Sequence, residues 1–267
     1  MHFYASIETP CIRFFFVFRH RIHANTVRGR LRAAGLGCRR PLKASRLTQH
    51  HRRERLRWAR HHITFTQRRW NCVLFSDETR ARVSRADGRQ RVWRRRQERY
   101  ADACVLQYNP WGGGSIHVWG GITRHNRSRL VVFNRNVNAN VYTNEVLANV
   151  VVPFMQDNFP EGNGILQQDG ARPHTARSTL QFIEDNNISL LNWASMSPDM
   201  SPIEHLWDEL KRRVYARPYP PVNVQQLENA VIEEWNANSQ AFIANLVQSL
   251  RHRCLVLINA RGGFTRY

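Results

Sequence analysis

The chain has 267 residues, 42% of them hydrophobic, which is enough for one large domain with a buried core. The formal net charge is +20, but residues 1–100 carry 26 Lys and Arg against 6 Asp and Glu, whereas residues 101–267 carry 14 basic and 14 acidic residues. A charge that served solubility alone would not divide in this way, so the basic front part predicts binding to an anionic polymer.

The cysteines and the apolar segments exclude several other classes of protein. None of the five cysteines forms a C-x-x-C pair, so no zinc site is indicated, and their scatter predicts reduced thiols inside a cell. The apolar run at residues 11–18 is too short to span a bilayer and lacks the features of a signal peptide. We therefore expect no membrane partner.

The front part predicts a partial DNA-binding region. Residues 1–22 remain unassigned, and a helix is expected over 26–34, with Asn25 as N-cap and Gly35 as its end. This helix is interpreted as the last one of a helix-turn-helix. A basic linker and an Arg-dense helix, capped by Thr48 and reaching about residue 61, follow it, and the whole region extends over residues 23–69. The candidate contacts to DNA phosphates in this region are Arg28, Arg30, Arg32, Arg39 and Arg40.

From residue 70 onward the pattern changes to strands followed by alternating helices and strands. Strands are expected over 73–75, 91–93, 115–122, 130–133, 164–168 and 188–192, and helices over 140–154, 175–186, 202–214, 224–235 and 241–250. This order predicts an α/β fold with a mixed sheet flanked by helices over residues 70–267. Three consecutive arginines after the second strand are interpreted as following a DNA strand rather than as a solvated loop: Arg94, Arg95 and Arg96.

Three carboxylates stand in settings suited to sharing metal ions. Asp77 and Asp169 each follow a short apolar run, so both are expected at the end of a core strand, and Glu204 enters a helix. Three ionised carboxylates that lie together repel one another unless cations neutralise them, and hard oxygen ligands suit Mg²⁺ or Mn²⁺. The sequence therefore indicates a two-metal site of the kind that displaces phosphodiesters.

Simpler interpretations of these residues stay open. Asp77 and Asp169 are also consistent with ordinary turn residues, and Glu204 with a capping box in which Ser201 is the N-cap. Asp208, one helical turn after Glu204, is a rival third ligand. His174 is a candidate to orient a ligand or contact a phosphate, and equally a candidate for an ordinary structural histidine.

Several motifs recur in order and at characteristic spacing. They are Phe75-Ser76-Asp77-Glu78, Val92-Trp93-Arg94, Val118-Trp119-Gly120, Gln168-Asp169-Gly170-Ala171 with His174-Thr175-Ala176, and Ser197-Pro198-Asp199 through Pro202-Ile203-Glu204 with Leu206-Trp207. Together these motifs resemble the Tc/mariner superfamily of DNA transposases over roughly residues 23–267, and the 34 residues between Asp169 and Glu204 match the Tc branch.

The resemblance implies an RNase H-like catalytic domain in which Asp77, Asp169 and Glu204 form the catalytic and metal-binding triad. It further implies cut-and-paste transposition in the nucleus, with cleavage at transposon ends and strand transfer into TA sites. The implied partners are double-stranded DNA, both transposon ends and target, and a second copy of the chain in a homodimer.

The sequence departs from the family at its front. Family members usually carry two helix-turn-helix units, whereas residues 23–36 resemble only the end of the second one. We therefore interpret the chain as an N-terminally truncated copy or an imperfect gene model with impaired recognition of transposon ends. Two alternatives remain: a non-catalytic DNA-binding remnant, and a structure-specific nuclease of the same fold.

Overall fold

A computed structural model of the chain describes residues 23–35, 47–83 and 114–267. The chain divides into two compact units, Met1–Arg46 and Leu47–Tyr267. The predicted strand at 91–93 and five of the candidate DNA contacts lie outside the described residues: Arg39, Arg40, Arg94, Arg95 and Arg96.

The described part of the first unit is helix α1, Ala24–Ala33. The prediction that Asn25 caps it is wrong. His23, whose backbone is extended, is the N-cap and accepts a hydrogen bond from the Asn25 amide, so Asn25 lies inside the first turn. Gly35 follows the helix with φ of 74°, a left-handed conformation that glycine adopts readily, as expected for the predicted end.

The second unit contains a five-stranded mixed sheet in the order β3-β2-β1-β4-β5. Strands β1 and β2 pair antiparallel, as do β2 and β3, whereas β4 is parallel to both β1 and β5. The strands are β1 Val73–Arg82, β2 Ser115–Ile122, β3 Val131–Phe133, β4 Ile165–Gln167 and β5 Ser189–Leu190.

Helices surround this sheet. A helical run between β3 and β4 consists of α4 Ala139–Val141, a π-helical stretch Tyr142–Val151 and α5 Val152–Asn158. The others are α2 Gln49–His62, α3 Gln67–Asn71, α6 Arg172–Thr175, α7 Arg177–Asp185, α8 Pro202–Ala216, α9 Val224–Ala237, α10 Gln240–Gln248 and α11 Leu250–Asn259. Across the described parts of the chain, no helix is both long enough and apolar enough to cross a membrane.

The two faces of the sheet carry separate hydrophobic clusters, because successive side chains of a strand point to opposite faces. Phe75 lies in the cluster that contains Trp207 of α8 and Trp235 of α9. Its neighbour Leu74 lies in the second cluster, with Trp119 and the helical run that begins at α4. The predicted α/β fold with a mixed sheet is confirmed.

Most predicted elements are present, but the first strand is longer than predicted. Strand β1 continues past Phe75 to Arg82, because residues 75–82 pair with β2 over its whole length. The prediction that Asp77 ends a strand is therefore wrong. Asp77 lies within β1, at the point where β1 has lost its parallel neighbour β4.

Helix α2 joins the core through one buried stripe. Thr48 caps it as predicted, and its buried residues recur at helical spacing: Arg55, Trp58, Ala59 and His62. The C-terminal tail lies against the backbone of this helix, since a Cβ placed on Gly262 would lie 2.0 Å from the Arg52 carbonyl oxygen. With a φ of 75° as well, Gly262 occupies a position that other residues fit poorly.

The buried His62 makes stability depend on pH. Its ring stacks on Trp58 and burial lowers its pKa from 6.5 to about 4, so the unfolded chain binds the proton more readily. The contribution of neutral His62 to the free energy of unfolding is fully present above pH 6.5. As the pH falls towards 4 this contribution is lost, which lowers the free energy of unfolding by up to about 3 kcal/mol. We expect His62→Phe to flatten the dependence of the urea unfolding midpoint on pH between 7 and 4. His125→Gln, a change at an exposed histidine that does not contact His62, should leave that dependence unchanged, and an equal acid sensitivity of His62→Phe and the parent would contradict the assignment.

Candidate active site

The pairing of β1 with β4 sets Asp77 and Asp169 at equivalent positions. Phe75 pairs with Gln167 in the parallel register. Asp77 follows Phe75 by two residues, and Asp169 likewise follows Gln167 by two residues. Asp77 lies within β1, whereas Asp169 lies in the turn beyond β4. The two carboxylates therefore leave the same edge of the parallel pair, as the predicted site requires.

Asp77 is held against the core by one specific contact. The indole Nε1 of Trp207 donates a hydrogen bond to Asp77 Oδ2 at 3.2 Å. Burial, followed by the negative charges of Glu204, Glu78 and Asp169, raises the pKa of Asp77 to about 8. Asp77 is therefore close enough to Glu204 and Asp169 for their charges to affect its pKa.

Glu204 does not form the capping box that the sequence also allowed. Ser201 is the N-cap of α8, but its side chain makes no capping hydrogen bond, and its buried hydroxyl lacks a partner among the described residues. Burial raises the pKa of Glu204; the charge of Lys211 opposes this rise, and Asp208 and Asp169 add to it. The charge of Asp169 therefore acts on Glu204, and the charge of Glu204 acts on Asp77.

Asp169 belongs to a chain of three side chains. His174 Nδ1 lies 2.7 Å from Asp169 Oδ1, and its Nε2 lies 3.0 Å from Glu78 Oε1. Burial opposes a charge on the ring, but the hydrogen bonds to the two carboxylates prevail and raise the pKa of His174 to about 10. Both ring nitrogens of the imidazolium therefore donate, and the bond from His174 lowers the pKa of Asp169.

Two charged residues lie at the margin of the site on α8. Asp208, the predicted rival ligand, is exposed and one turn beyond Glu204. Lys211 Nζ donates to Thr79 Oγ1 at 2.6 Å, and Thr79 is two residues beyond Asp77 on the same face of β1. The ammonium of Lys211 is therefore close enough to the site for its charge to lower the pKa of Glu204.

The donor set fits a hard divalent cation. All three groups are carboxylates, and the pKa of Asp77 is raised first by burial and then by the neighbouring negative charges, a repulsion that a bound cation would relieve. Among the residues described, no group of three or more His, Cys, Asp and Glu side chains is gathered tightly enough to enclose a metal ion. Oxygen ligands that leave room for water and phosphate suit Mg²⁺ better than a closed protein cage.

A buried arginine holds the loop that leads to Glu204. Arg55 of α2, 1% exposed, makes a bidentate ion pair with Asp199, with both contacts at 2.7 Å. Its guanidinium also donates to the Ser197 hydroxyl and to three backbone carbonyls, those of Met196, Gly262 and Gly263. This Arg55 clamp fixes the segment just before α8, and with it the helix start that carries Glu204.

The candidate DNA contacts on α1 are accessible. Arg28, Arg30 and Arg32 are all exposed, although Arg28 also donates to the Asn25 side chain at 2.8 Å. Sequence reasoning assigned no individual contacts on α2, where four further arginines are exposed: Arg52, Arg53, Arg57 and Arg60. The sequence could have indicated these arginines, because the helical spacing of the apolar residues leaves them on the outer face of the helix.

Sequence reasoning also missed roles for Glu78, Lys211 and Asp199. Glu78 had no local signal, since only the fold brings His174, 96 residues away, into contact with it. Lys211 had a readable signal, since it lies seven residues after Glu204 and thus on the same face of a helix. The partner of Asp199 is 144 residues away, beyond any local pattern.

Comparisons with known proteins agree with this arrangement. A family model described as DDE superfamily endonuclease matches residues 72–228, and a second, described as Transposase, matches residues 18–64. The Tc1 transposase of Caenorhabditis elegans is 32% identical over 244 residues, which covers 91% of this chain and 87% of that protein. The Tcb1 transposase of Caenorhabditis briggsae shows the same identity and coverage.

Solved structures show the same fold. A paired-end complex of the Mos1 mariner transposase with Mn matches with a TM-score of 0.71 at 17% identity, covering 92% of this chain and 72% of that one. The catalytic domain of Mos1 matches with a TM-score of 0.64 at 16% identity, covering 84% of this chain and all of that one. The fold and its carboxylates define a protein of the RNase H-like, DDE endonuclease class. The chain belongs to the Tc/mariner superfamily of transposases, as the sequence motifs predicted.

The Arg55 clamp generates a prediction about stability. Arg55→Lys keeps the charge but cannot reproduce the bidentate pair, so buried acceptors lose their donors and the free energy of unfolding should fall by about 3 kcal/mol. Arg57→Lys on the same helix is the matched control, since Arg57 is 76% exposed and its pair with Glu54 should contribute less than about 1 kcal/mol. Urea unfolding of both variants tests this, and equal losses of stability would rule out a special role for Arg55.

Proposed function

We propose that this chain is a DNA transposase that cleaves DNA at transposon ends and joins the freed 3′ end to a TA target. The observation that carries the proposal is the convergence of Asp77, Asp169 and Glu204, two through the register of β1 with β4 and one through α8. Membership of a superfamily whose relatives are transposases supports this assignment.

We further propose that Asp77, Asp169 and Glu204 hold two divalent cations, Mg²⁺ or Mn²⁺. Such a pair would supply activation of the attacking oxygen and stabilisation of the leaving oxygen in phosphodiester displacement. The catalytic domain of the Mos1 transposase has been solved with Mg and with Mn, which supports the choice of metal. Asp208 lies too far towards solvent to be preferred over Glu204 as the third ligand.

The chain's own residues prepare the site. Trp207 donates to Asp77 and so limits the rotation of its carboxylate, and His174 does the same for Asp169. Lys211, at the margin, is placed to meet a phosphate that approaches the carboxylates. These groups orient the site's oxygens and attract the anionic substrate without themselves taking part in bond breaking.

The proposed substrate is double-stranded DNA, bound as transposon ends and as target. The DNA-binding part is residues 23–69, where the arginines of α1 and the linker contact phosphates, with Arg94, Arg95 and Arg96 as further contacts from the catalytic domain, residues 70–267. We also propose that the chain acts as a homodimer, which the Mos1 paired-end complexes support. We propose that it acts in the nucleus, because its substrate is genomic DNA.

A second candidate is a DNA-binding remnant without chemistry. The charge division favours it, because residues 1–100 carry all of the excess positive charge. A DNA-binding remnant would have no use for three mutually repelling carboxylates, whereas a transposase would use them to hold cations. The two candidates therefore differ in what a carboxylate substitution should change.

Substituting Asp169 tests the catalytic proposal. The full chain would be incubated with Mg²⁺ or Mn²⁺, a pre-nicked transposon-end duplex and a plasmid with TA sites. Asp169→Asn removes one ligand charge and should abolish the joined product while leaving DNA affinity unchanged. Asp185→Asn, an exposed change on α7, is the matched control. Joined product from Asp169→Asn at the parental level would refute the proposal, and DNA binding without product from the parent would favour the remnant.

The arginines of α1 generate a prediction about salt dependence. If Arg28, Arg30 and Arg32 neutralise phosphates, replacing all three with Ala should reduce the slope of log affinity against log salt by about 2 to 3. Fluorescence anisotropy with a labelled duplex at several salt concentrations measures this slope. A triple Ala variant at exposed Arg135, Arg177 and Arg212 is the control for general loss of charge, and the same slope change in both variants would contradict a specific role for α1.

A further inference from the structure

Glu78 is a buried acid that the proposed chemistry does not use directly. It follows Asp77 in β1, so its side chain leaves the opposite face of the strand. Its side chain is only 15% exposed, and Oε1 lies 3.0 Å from His174 Nε2. A carboxylate this far from solvent needs a defined partner, and His174 is that partner.

His174 in turn is held from several directions. The ring lies 4.2 Å from the ring of Tyr142, measured between centroids, and the side chain is 4% exposed. Its backbone carbonyl accepts a bond from Gln168, whose own side chain accepts one from the Tyr142 hydroxyl at 2.7 Å. The imidazole therefore has one place to lie, between Glu78 and Asp169.

Asp169 has no such enclosure of its own. It follows the last residue of β4 by two positions, and its side chain is 53% exposed. Both of its hydrogen bonds go to Oδ1, from the Ala171 amide at 2.9 Å and from His174 at 2.7 Å. These bonds hold the carboxylate through Oδ1 and leave Oδ2 without a hydrogen bond to the described residues.

We propose that Glu78 is a positioning residue which, through His174, fixes the Asp169 carboxylate in the orientation that binds a divalent cation. The inference rests on the proposed function of Asp169 as a ligand. Partners behind a ligand commonly matter in this way, and their loss lowers metal affinity by about 10- to 100-fold. Glu78 would act on the metal ligand through two hydrogen bonds: it accepts from the imidazole of His174, and this imidazole donates to Asp169.

The alternative is that Glu78 itself binds the metal ion. Replacing its carboxylate with an amide distinguishes this role from a positioning role. Glu78→Gln keeps an oxygen that accepts from His174 Nε2 but removes the charge that a ligand would supply, whereas Glu78→Ala removes both. A positioning role predicts Mn²⁺ affinity close to the parent for Gln and a loss of about 10-fold or more for Ala. A ligand role predicts a similar loss for both.

The measurement is Mn²⁺ binding by the full-length chain without DNA, followed by the electron paramagnetic resonance signal of free Mn²⁺. The combined Asp77→Asn and Asp169→Asn variant gives the background from other acids, and Glu184→Ala and Glu184→Gln, at an exposed position on α7, are matched controls. Thermal unfolding without metal confirms that each variant is folded. Glu78→Gln retains the fold contacts and keeps the test informative if Glu78→Ala unfolds.

A double-mutant cycle tests the route through His174. If Glu78 acts only through the imidazole, Glu78→Ala should cause no further loss of Mn²⁺ affinity once His174→Gln is present. An additional loss in that background, equal losses for Gln and Ala at position 78, or parental affinity in Glu78→Ala would each overturn the inference. Failure of the parent to bind Mn²⁺ above the double-Asn background would instead overturn the metal site proposed above, and this inference with it.

Discussion

The parallel pairing of β1 with β4 is the constraint on which the candidate site depends. The pair covers only three positions on each strand, from Val73 with Ile165 to Phe75 with Gln167. Beyond it, β1 continues alongside β2 and carries Asp77, whereas β4 ends at Gln167, so Asp169 stands in the loop that follows, with its side chain 53% exposed. A slip of one residue would send one aspartate to the other face of the sheet.

The third carboxylate depends on a different part of the chain. Glu204 reaches the site because α8 lies over the face of β1 that carries Phe75, and because the Arg55 clamp holds the loop before it. Helix α2 supplies Arg55. The start of α8 is thus anchored through this ion pair with Asp199, rather than by the capping box of Ser201, which does not form.

How much the sequence predicts depends on how local each signal is. The cap at Thr48 and strand 115–122 were predicted correctly, because a cap and an alternating apolar run are read within a few residues. The length of β1 was not, since residues beyond Phe75 are polar and only pairing with β2 makes them a strand. The triad was suggested by motifs in order, whereas the contact of His174 with Glu78, 96 residues apart, needs the folded chain.

The electrostatics of the site argue for chemistry over simple DNA binding. The pKa of Asp77 is raised to about 8 by burial and by three neighbouring carboxylates, so gathering these groups opposes folding near neutral pH unless a cation is present. A protein that only bound DNA would gain from losing them, since its substrate is also an anion. Polar groups that cost stability are expected where they serve a function. The cost at Asp77, in a chain whose front half is strongly basic, therefore favours a centre that recruits cations and phosphates together.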